Sequence, residues 1–211
     1  MATAITEDLV TGPFRLAFPS LFKPTSKSKN NPDKLAYQAT MVFKSDDPFV
    51  KEIRKLIKQA MVLKWGEDKA KWPAALREMN LGTHLSAANK DGFPIRDGRL
   101  VDWNGAGPGT VFIKATSNPD YPPKVVNQNK DDILDKSAIM SGMICRAVIY
   151  AYGFSNESQG VTFGLRIIQL VKDDGARFAG GDNSGAMDKL DKLPGAEAGA
   201  DDPSSYQDDD L

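Results

Sequence analysis

Three acidic residues and one histidine–cysteine pair are the side chains of this sequence that could support catalysis. Asp131, Asp132 and Asp135 could hold magnesium in a nuclease, because carboxylate oxygens suit that ion. The same spacing is common in polar loops and at helix starts. His84 and Cys145 could form a nucleophilic dyad, but Cys145 lies in an apolar run and is predicted to be core. Two such residues cannot supply the four ligands of a structural zinc, so no cofactor is expected.

Positive charge and aromatic rings on strand-like segments indicate a different chemistry. Residues 141–172 hold two β-branched and aromatic runs separated by the polar turn SNESQG, which predicts an antiparallel hairpin over 143–154 and 161–171. Alternation places these residues on one face of its first strand: Arg146, Val148, Tyr150, Tyr152 and Phe154. Such a face suits stacking of planar rings and attraction of polyanions, although strands favour tyrosine in any case.

The remaining elements position further charged and aromatic residues. Strands are predicted at 11–18, with Phe14, Leu16 and Phe18 on one face, at 35–44 and at 109–116. In the last of these strands the apolar face would be buried, and the opposite face would expose Phe112 and Lys114. Residues 22–34 carry four lysines without an apolar anchor and are predicted to form a flexible basic loop.

One helix is predicted to begin at Asp47-Pro48, since aspartate caps and proline fits the first turn. Its apolar stripe consists of Phe49, Ile53, Leu56, Ile57, Ala60 and Met61. The lysines and arginine on its other side are interpreted first as a solvated face. A shorter helix is predicted over 74–79.

The formal net charge of −1 conceals an asymmetry. Residues 182–211 hold nine acidic and two basic residues, a net charge of −7, which leaves residues 1–181 at +6. A basic body should attract polyanions, while an acidic tail should compete with them or recruit basic proteins. The Gly, Ala, Ser and Asp of the tail cannot form a core, so 182–211 is predicted to be disordered.

Strands linked by loops around one helical insertion predict a mainly β protein with an OB-fold-like Greek-key barrel of five or more strands. The predicted organisation is therefore a domain over 1–181 followed by the acidic tail. The sequence contains one cysteine, no run long enough to cross a bilayer and no signal-peptide pattern at its start, which predicts a cytoplasmic protein with no membrane partner.

Five segments, in order, resemble a family of tailed-phage single-stranded DNA-binding proteins. They are FPSLFKP (18–24), PIRDG (94–98), FIKATSNPDYPPKVV (112–126), SGMICRAVIYAYGF (141–154) and GLRIIQLVKDDG (164–175), with QDDDL matching the family's acidic end in character. The resemblance implies an OB-fold that binds single strands without sequence preference in phage replication and recombination, in the cytoplasm of the infected bacterial host. The family's tail usually ends in an aromatic residue, whereas the last residue here is Leu211.

A basic groove with aromatic platforms is the physical design of such binders. The candidate DNA-binding residues are Arg15, Lys23, Lys27, Lys29, Tyr37, Trp103, Phe112, Lys114, Tyr121, Lys124, Arg146, Tyr150 and Tyr152. Asp208, Asp209, Asp210 and Leu211 are the candidate contacts for replication or recombination proteins. A homodimer is left open. The alternatives are the metal-dependent nuclease and a protein-interaction module that acts through its tail.

Overall fold

The computed structural model describes residues 3–28, 31–77, 94–101, 105–156 and 158–178. Within these residues eight strands and two α-helices are assigned: β1 (Leu9–Val10), β2 (Phe14–Ser28), β3 (Asn31–Lys44), α1 (Pro48–Trp65), α2 (Ala74–Arg77), β4 (Arg96–Asp97), β5 (Thr110–Ser117), β6 (Lys124–Val126), β7 (Ile144–Ser155) and β8 (Gln159–Lys172). The structure assigns the predicted short helix over Ala74–Arg77, and the remaining predicted residues, 78–79, lie outside the described residues.

Five strands close into a barrel. Following the pairings, β7 joins β2, β2 joins β3, β3 joins β5, β5 joins β8, and β8 returns to β7. Only the β5–β8 pairing within this ring is parallel. The remaining short strands each pair with one strand of this ring: β1 with β7, β6 with β8 and β4 with β5. The predicted OB-like barrel is confirmed, and closure removes the exposed edges that an open sheet would present.

The helix α1 forms where the sequence predicts it. The Asp47 side chain accepts a hydrogen bond from the Phe49 N–H at 2.8 Å, and Pro48 occupies the first turn. Its apolar stripe is buried as predicted, except that Val50 is buried and the predicted Phe49 is only partly buried. The stripe packs with the inward residues of β7 into one core, which fixes the helix against the barrel.

The hairpin β2–β3 replaces the flexible loop predicted over 22–34, so that prediction is wrong. The two strands stay paired out to Ser28 opposite Asn31. The Thr25 hydroxyl is hydrogen-bonded to the Ser20 hydroxyl at 2.9 Å and accepts a hydrogen bond from the Gln38 amide at 3.1 Å. Backbone pairing and polar side-chain hydrogen bonds stabilise this part of the hairpin. The lack of an apolar anchor in 22–34 therefore did not indicate a loop.

Alternation breaks at Phe18, which the sequence predicts on the same strand face as Phe14 and Leu16. Phe14 and Leu16 are buried, but Phe18 has a φ of 45° and is 41% exposed. Its N–H is bonded to the Ser141 hydroxyl at 3.2 Å. The ladder register shifts between Ala17 and Ser20, so the irregular backbone turns this ring outward.

Contacts divide the chain into two units, Met1–Gly180 and Gly181–Leu211. The fold described here is that of the first unit. The predicted disordered tail over 182–211 lies outside the described residues and stays a prediction. Within the described part of the chain, no helix is both long and apolar enough to cross a membrane.

Candidate nucleic-acid interface

OB barrels bind oligonucleotides on the outer face of their second and third strands and on the adjoining loops. In this barrel those strands are β3 and β5. Lys114 is exposed on β5, opposite Thr40 of β3, and Arg96 of β4 is exposed beside Phe112. This surface, which we call the β3–β5 face, therefore carries two cations at the place expected for such binding.

Phe112 does not expose its ring on the β3–β5 face, so the predicted exposure is wrong. The residue is 7% exposed and packs with Ala17 and Val42 in a small cluster outside the barrel core. Val101 and Phe178 pack against the same cluster. Segments that are distant in sequence pack on this side of β5. Strand alternation alone cannot predict such packing.

The segment after β8 is tied to the same side of the barrel. Arg15 donates two hydrogen bonds to Asp174, at 2.7 and 2.6 Å, and a third to the Gly142 carbonyl at 2.9 Å. The bonds from Arg15 hold the pKa of the Asp174 carboxyl well below its usual range. The Phe178 ring lies directly on Gly105, where a Cβ would come within 2.0 Å of it. Arg15 thus anchors a chain segment in this structure.

The end of the β3–β5 face adjoins the basic hairpin. Lys23 is exposed on β2, and the half-buried Tyr37 of β3 pairs with Ser117 of β5. The Ser117 hydroxyl donates to the backbone carbonyl of Tyr121. Tyr121 is 74% exposed, so its ring is accessible, whereas that of Phe112 is buried. For Lys27 only the backbone is described, and Lys29 and Trp103 lie outside the described residues.

A second candidate surface is the outer side of β7 and β8, which we call the β7–β8 face. The predicted alternation is confirmed: Arg146 is exposed, Tyr150 and Tyr152 are half-buried, and the residues between them are buried. The two tyrosine rings have centroids 6.0 Å apart. Burial, and then the neighbouring Tyr150, raise the pKa of Tyr152, so its phenol stays neutral near pH 7.

A groove of about 390 Å³ lies on this face beside β6 and β1. Its cations are Lys124, Lys130 and Arg146, and Val10, Val126, Val148 and Ile167 contribute apolar surface. Arg146 Nε donates to the Gln169 amide oxygen at 2.6 Å, so a neutral group holds this guanidinium. Lys124 is 3.2 Å from the Asp132 carboxylate, and both side chains remain more than half exposed.

The three aspartates proposed for magnesium make other contacts. Asp131 accepts from the Asn127 amide at 3.0 Å, and Asp132 pairs with Lys124. Asp135 accepts from the backbone and hydroxyl of Ser137, which lowers the pKa of its carboxyl. No group of three potential metal ligands occurs among the described residues. These carboxylates stabilise local loop structure.

Cys145 is fully buried, as predicted, and burial raises the pKa of its thiol to about 12. A protonated, enclosed thiol is neither nucleophilic nor accessible to a substrate. His84, its proposed partner, lies outside the described residues.

Besides Arg96, three exposed or groove-lining residues were not among the sequence candidates. Phe18 is exposed by the irregularity in β2, and Lys130 enters the groove from a turn where its φ is 73°. Arg166 lies on the β7–β8 face, with its guanidinium carbon 4.5 Å from the Tyr150 ring centroid. Alternation along β8 would have identified Arg166, whereas no local signal identifies the other two. The tail residues Asp208 to Leu211 lie outside the described residues.

Comparison with known proteins identifies the family. Residues 7–201 match the model of the family described as "Enterobacter phage Enc34, ssDNA-binding protein". The chain belongs to that family. It is also 29% identical over 185 residues to protein p50 of Acyrthosiphon pisum secondary endosymbiont phage 1, covering 87% of this chain and 92% of that relative.

Solved structures share the fold of this Enc34-family chain. The single-stranded DNA-binding protein of bacteriophage Enc34, solved in complex with ssDNA, superposes with a TM-score of 0.58 at 19% identity, over 80% of this chain and 88% of that one. The single-stranded DNA-binding protein gp2.5 of bacteriophage T7 gives 0.55 at 16% identity, over 92% of this chain and all of that one. The family is described as one of ssDNA-binding proteins, which are not enzymes, so family membership gives no support to the nuclease alternative.

Proposed function

We propose that this chain binds single-stranded DNA without sequence preference. The observation that carries the proposal is membership of the Enc34 ssDNA-binding family over residues 7–201, a range that contains the closed five-strand barrel of OB type. A barrel of this class offers its strand faces and loops to an extended strand.

The chemistry of the exposed groups supports the proposal. Lys114 and Arg96 on the β3–β5 face and Lys23 on the hairpin can follow phosphates, while the exposed Tyr121 can stack on a base. Every base has an aromatic face and every nucleotide a phosphate, so these contacts do not depend on sequence. Which of the candidate residues touch DNA stays a prediction.

The acidic tail is proposed to have two roles. Its net charge of −7 allows it to compete with DNA for the basic body, and displacement by DNA would present Asp208, Asp209, Asp210 and Leu211 to basic replication or recombination proteins. The proposed setting is phage DNA metabolism in the cytoplasm of the infected bacterium. A homodimer is compatible with this role but is not required by it.

A binding assay with single-stranded and double-stranded oligonucleotides of one sequence tests the proposal. We expect retention of the single strand, with unrelated sequences of equal length binding within a few-fold of one another. The labelled oligonucleotide should remain intact in magnesium. Absence of retention at low salt would overturn the proposal and favour a protein-interaction module that acts through the tail.

A further inference from the structure

We propose that the β7–β8 face is a second contact surface for a bound single strand, with Arg166 as its base-stacking group. The inference rests on the proposed function and extends it beyond the face of the second and third strands by which OB folds bind oligonucleotides. Within the barrel ring, β3 pairs with β2 and β5, whereas β7 and β8 pair with each other. Because β5 also pairs with β8, the two faces are neighbours around the barrel, and a bound strand must continue past the β3–β5 face to reach Arg166.

The first support is a layered arrangement of Gly164, Tyr150 and Arg166. Tyr150 stands opposite Gly164 across the β7–β8 ladder, and a Cβ on Gly164 would lie 2.0 Å from the tyrosine ring. The ring therefore packs directly on the backbone of β8 at Gly164. The Arg166 guanidinium carbon lies over the same ring, 4.5 Å from its centroid. The guanidinium that covers the phenol belongs to an exposed residue and can itself meet a ligand.

The second support is the restraint on Arg166. Its Nε donates to Asp8 at 2.6 Å, while the side chain remains 44% exposed. The ladder register shifts here, because Val148 pairs with Ile167 while Ile149 pairs with Leu165, which leaves Arg166 at a bulge. A fixed, exposed guanidinium plane can stack on a nucleobase while its charge attracts phosphate.

The third support is the charge of the neighbouring groove. Four cations share this face, namely Lys124, Lys130, Arg146 and Arg166. The carboxylates paired with them are Asp132 and Asp8. The resulting positive charge suits a polyanion, and the planar stack favours one that carries bases over an acidic peptide.

The test compares affinity across a series of oligothymidylates from about 6 to 30 nucleotides, which spans the site sizes of single OB folds. Short strands that fill only the β3–β5 face should bind the wild type and Arg166→Ala equally. Longer strands should bind Arg166→Ala about 5- to 150-fold more weakly, the loss expected for one stacked base. Arg166→Lys should show most of this loss because it keeps the charge but not the plane. Lys51→Ala, on the exposed side of α1, is the matched control.

A second variant separates stacking from charge. Gly164→Ala must displace the Tyr150 ring, and with it the guanidinium, while every charge is retained. Provided that circular dichroism and thermal melting show a folded protein, Gly164→Ala should lose affinity for long strands without a change in salt dependence. Tyr150→Phe should behave as the wild type.

The outcomes are distinct. If no length of single strand binds, the proposed function itself fails. If single strands bind but Arg166→Ala equals the wild type at every length, the second surface is overturned. If Tyr150→Ala weakens binding while Arg166→Ala does not, a base stacks on the tyrosine and the role of Arg166 is wrong. If a peptide of residues 199–211 binds wild type but not Arg166→Ala, and DNA binding is unchanged, the face serves the acidic tail instead.

Discussion

Two aromatic residues that the sequence analysis proposed for DNA binding differ in their burial. Phe112 and Tyr121 lie nine positions apart, each near a lysine, yet one is 7% exposed and the other 74%. Only an accessible ring can stack on a base. Removing the Tyr121 ring should therefore change the binding affinity, and removing the Phe112 ring the free energy of unfolding.

We expect Tyr121→Ala to weaken single-strand binding by about 1–3 kcal/mol, roughly 5- to 150-fold, with little change in melting temperature. Phe112→Ala should instead lower the free energy of unfolding by about 3 kcal/mol, because it leaves a cavity among Ala17, Val42 and Phe178. Calorimetry and fluorescence anisotropy on both variants check this. Tyr121→Phe is the control and should bind normally. A destabilised Tyr121→Ala with unchanged affinity would contradict the assignment.

At the scale of elements, the segment that follows β8 is held by ion pairs at its start. Arg15 binds Asp174, and Arg177 binds Asp173 at 2.7 and 2.8 Å. The hydrogen bonds from Arg177 lower the pKa of Asp173 to about 2. Because an aspartate has a pKa of about 3.9 in the unfolded chain, this pair stabilises the fold fully above that pH.

Stability should therefore show a defined acid dependence. The difference in unfolding free energy between wild type and Asp173→Asn should be constant from pH 7 to about 5. It should shrink as the pH falls from about 4 towards 2, where the wild-type carboxylate also becomes neutral. Denaturant unfolding across this range is the measurement. A difference that persists unchanged at pH 2 would show that the ion pair is not its cause.

The β2–β3 hairpin carries its lysines on a paired ribbon rather than on a flexible loop. A ribbon presents cations at fixed spacing, which makes a specific electrostatic contribution from this element testable. Lys23 is exposed on β2 and Lys27 lies further along the same strand, while Lys29 lies outside the described residues.

Replacing Lys23, Lys27 and Lys29 with alanine should make the slope of log K against log salt shallower by about 2. Each phosphate contact to a single strand contributes about −0.7 to that slope, through release of counterions. Titrations at several salt concentrations measure it. The control is the triple alanine variant of Lys51, Lys58 and Lys69, which are exposed on α1 and just after it. An unchanged slope in the hairpin variant would remove this element from the binding site.

At the scale of the whole molecule, charge is distributed so that a body of +6 is followed by a tail of −7. A tethered polyanion has a high effective concentration near a basic surface, but it has no bases to stack. The tail should therefore act as a weak substitute for nucleic acid that single strands displace more readily than duplex does.

Deleting residues 182–211 should raise the affinity for single strands, and raise it more at low salt, where screening is weak. It should also reduce the preference for single strands over duplex, whose stacked bases cannot reach the aromatic side chains. Binding of full-length and truncated protein to both substrates at two salt concentrations decides the matter. Equal affinities throughout would leave the tail only its recruiting role.

The sequence by itself determined the elements whose pattern is local. The alternation of β7, the cap and apolar stripe of α1 and the burial of Cys145 follow from backbone periodicity and side-chain hydrophobicity, and the structure confirms them. The barrel could be predicted as a class, because short strands around one helical insertion leave few other ways to bury their inner faces.

Only the tertiary structure decided which outer faces remain accessible. Arg15 and Asp174 are 159 positions apart, yet their pairing ties a distant segment to β2. Phe178 packs against the Phe112 cluster, while Arg166 and Gly164 both pack against the Tyr150 ring. Alternation states which side of a strand a residue faces, but exposure on that side depends on which remote segment packs there. That choice is made by non-local packing, which no local pattern in the sequence encodes.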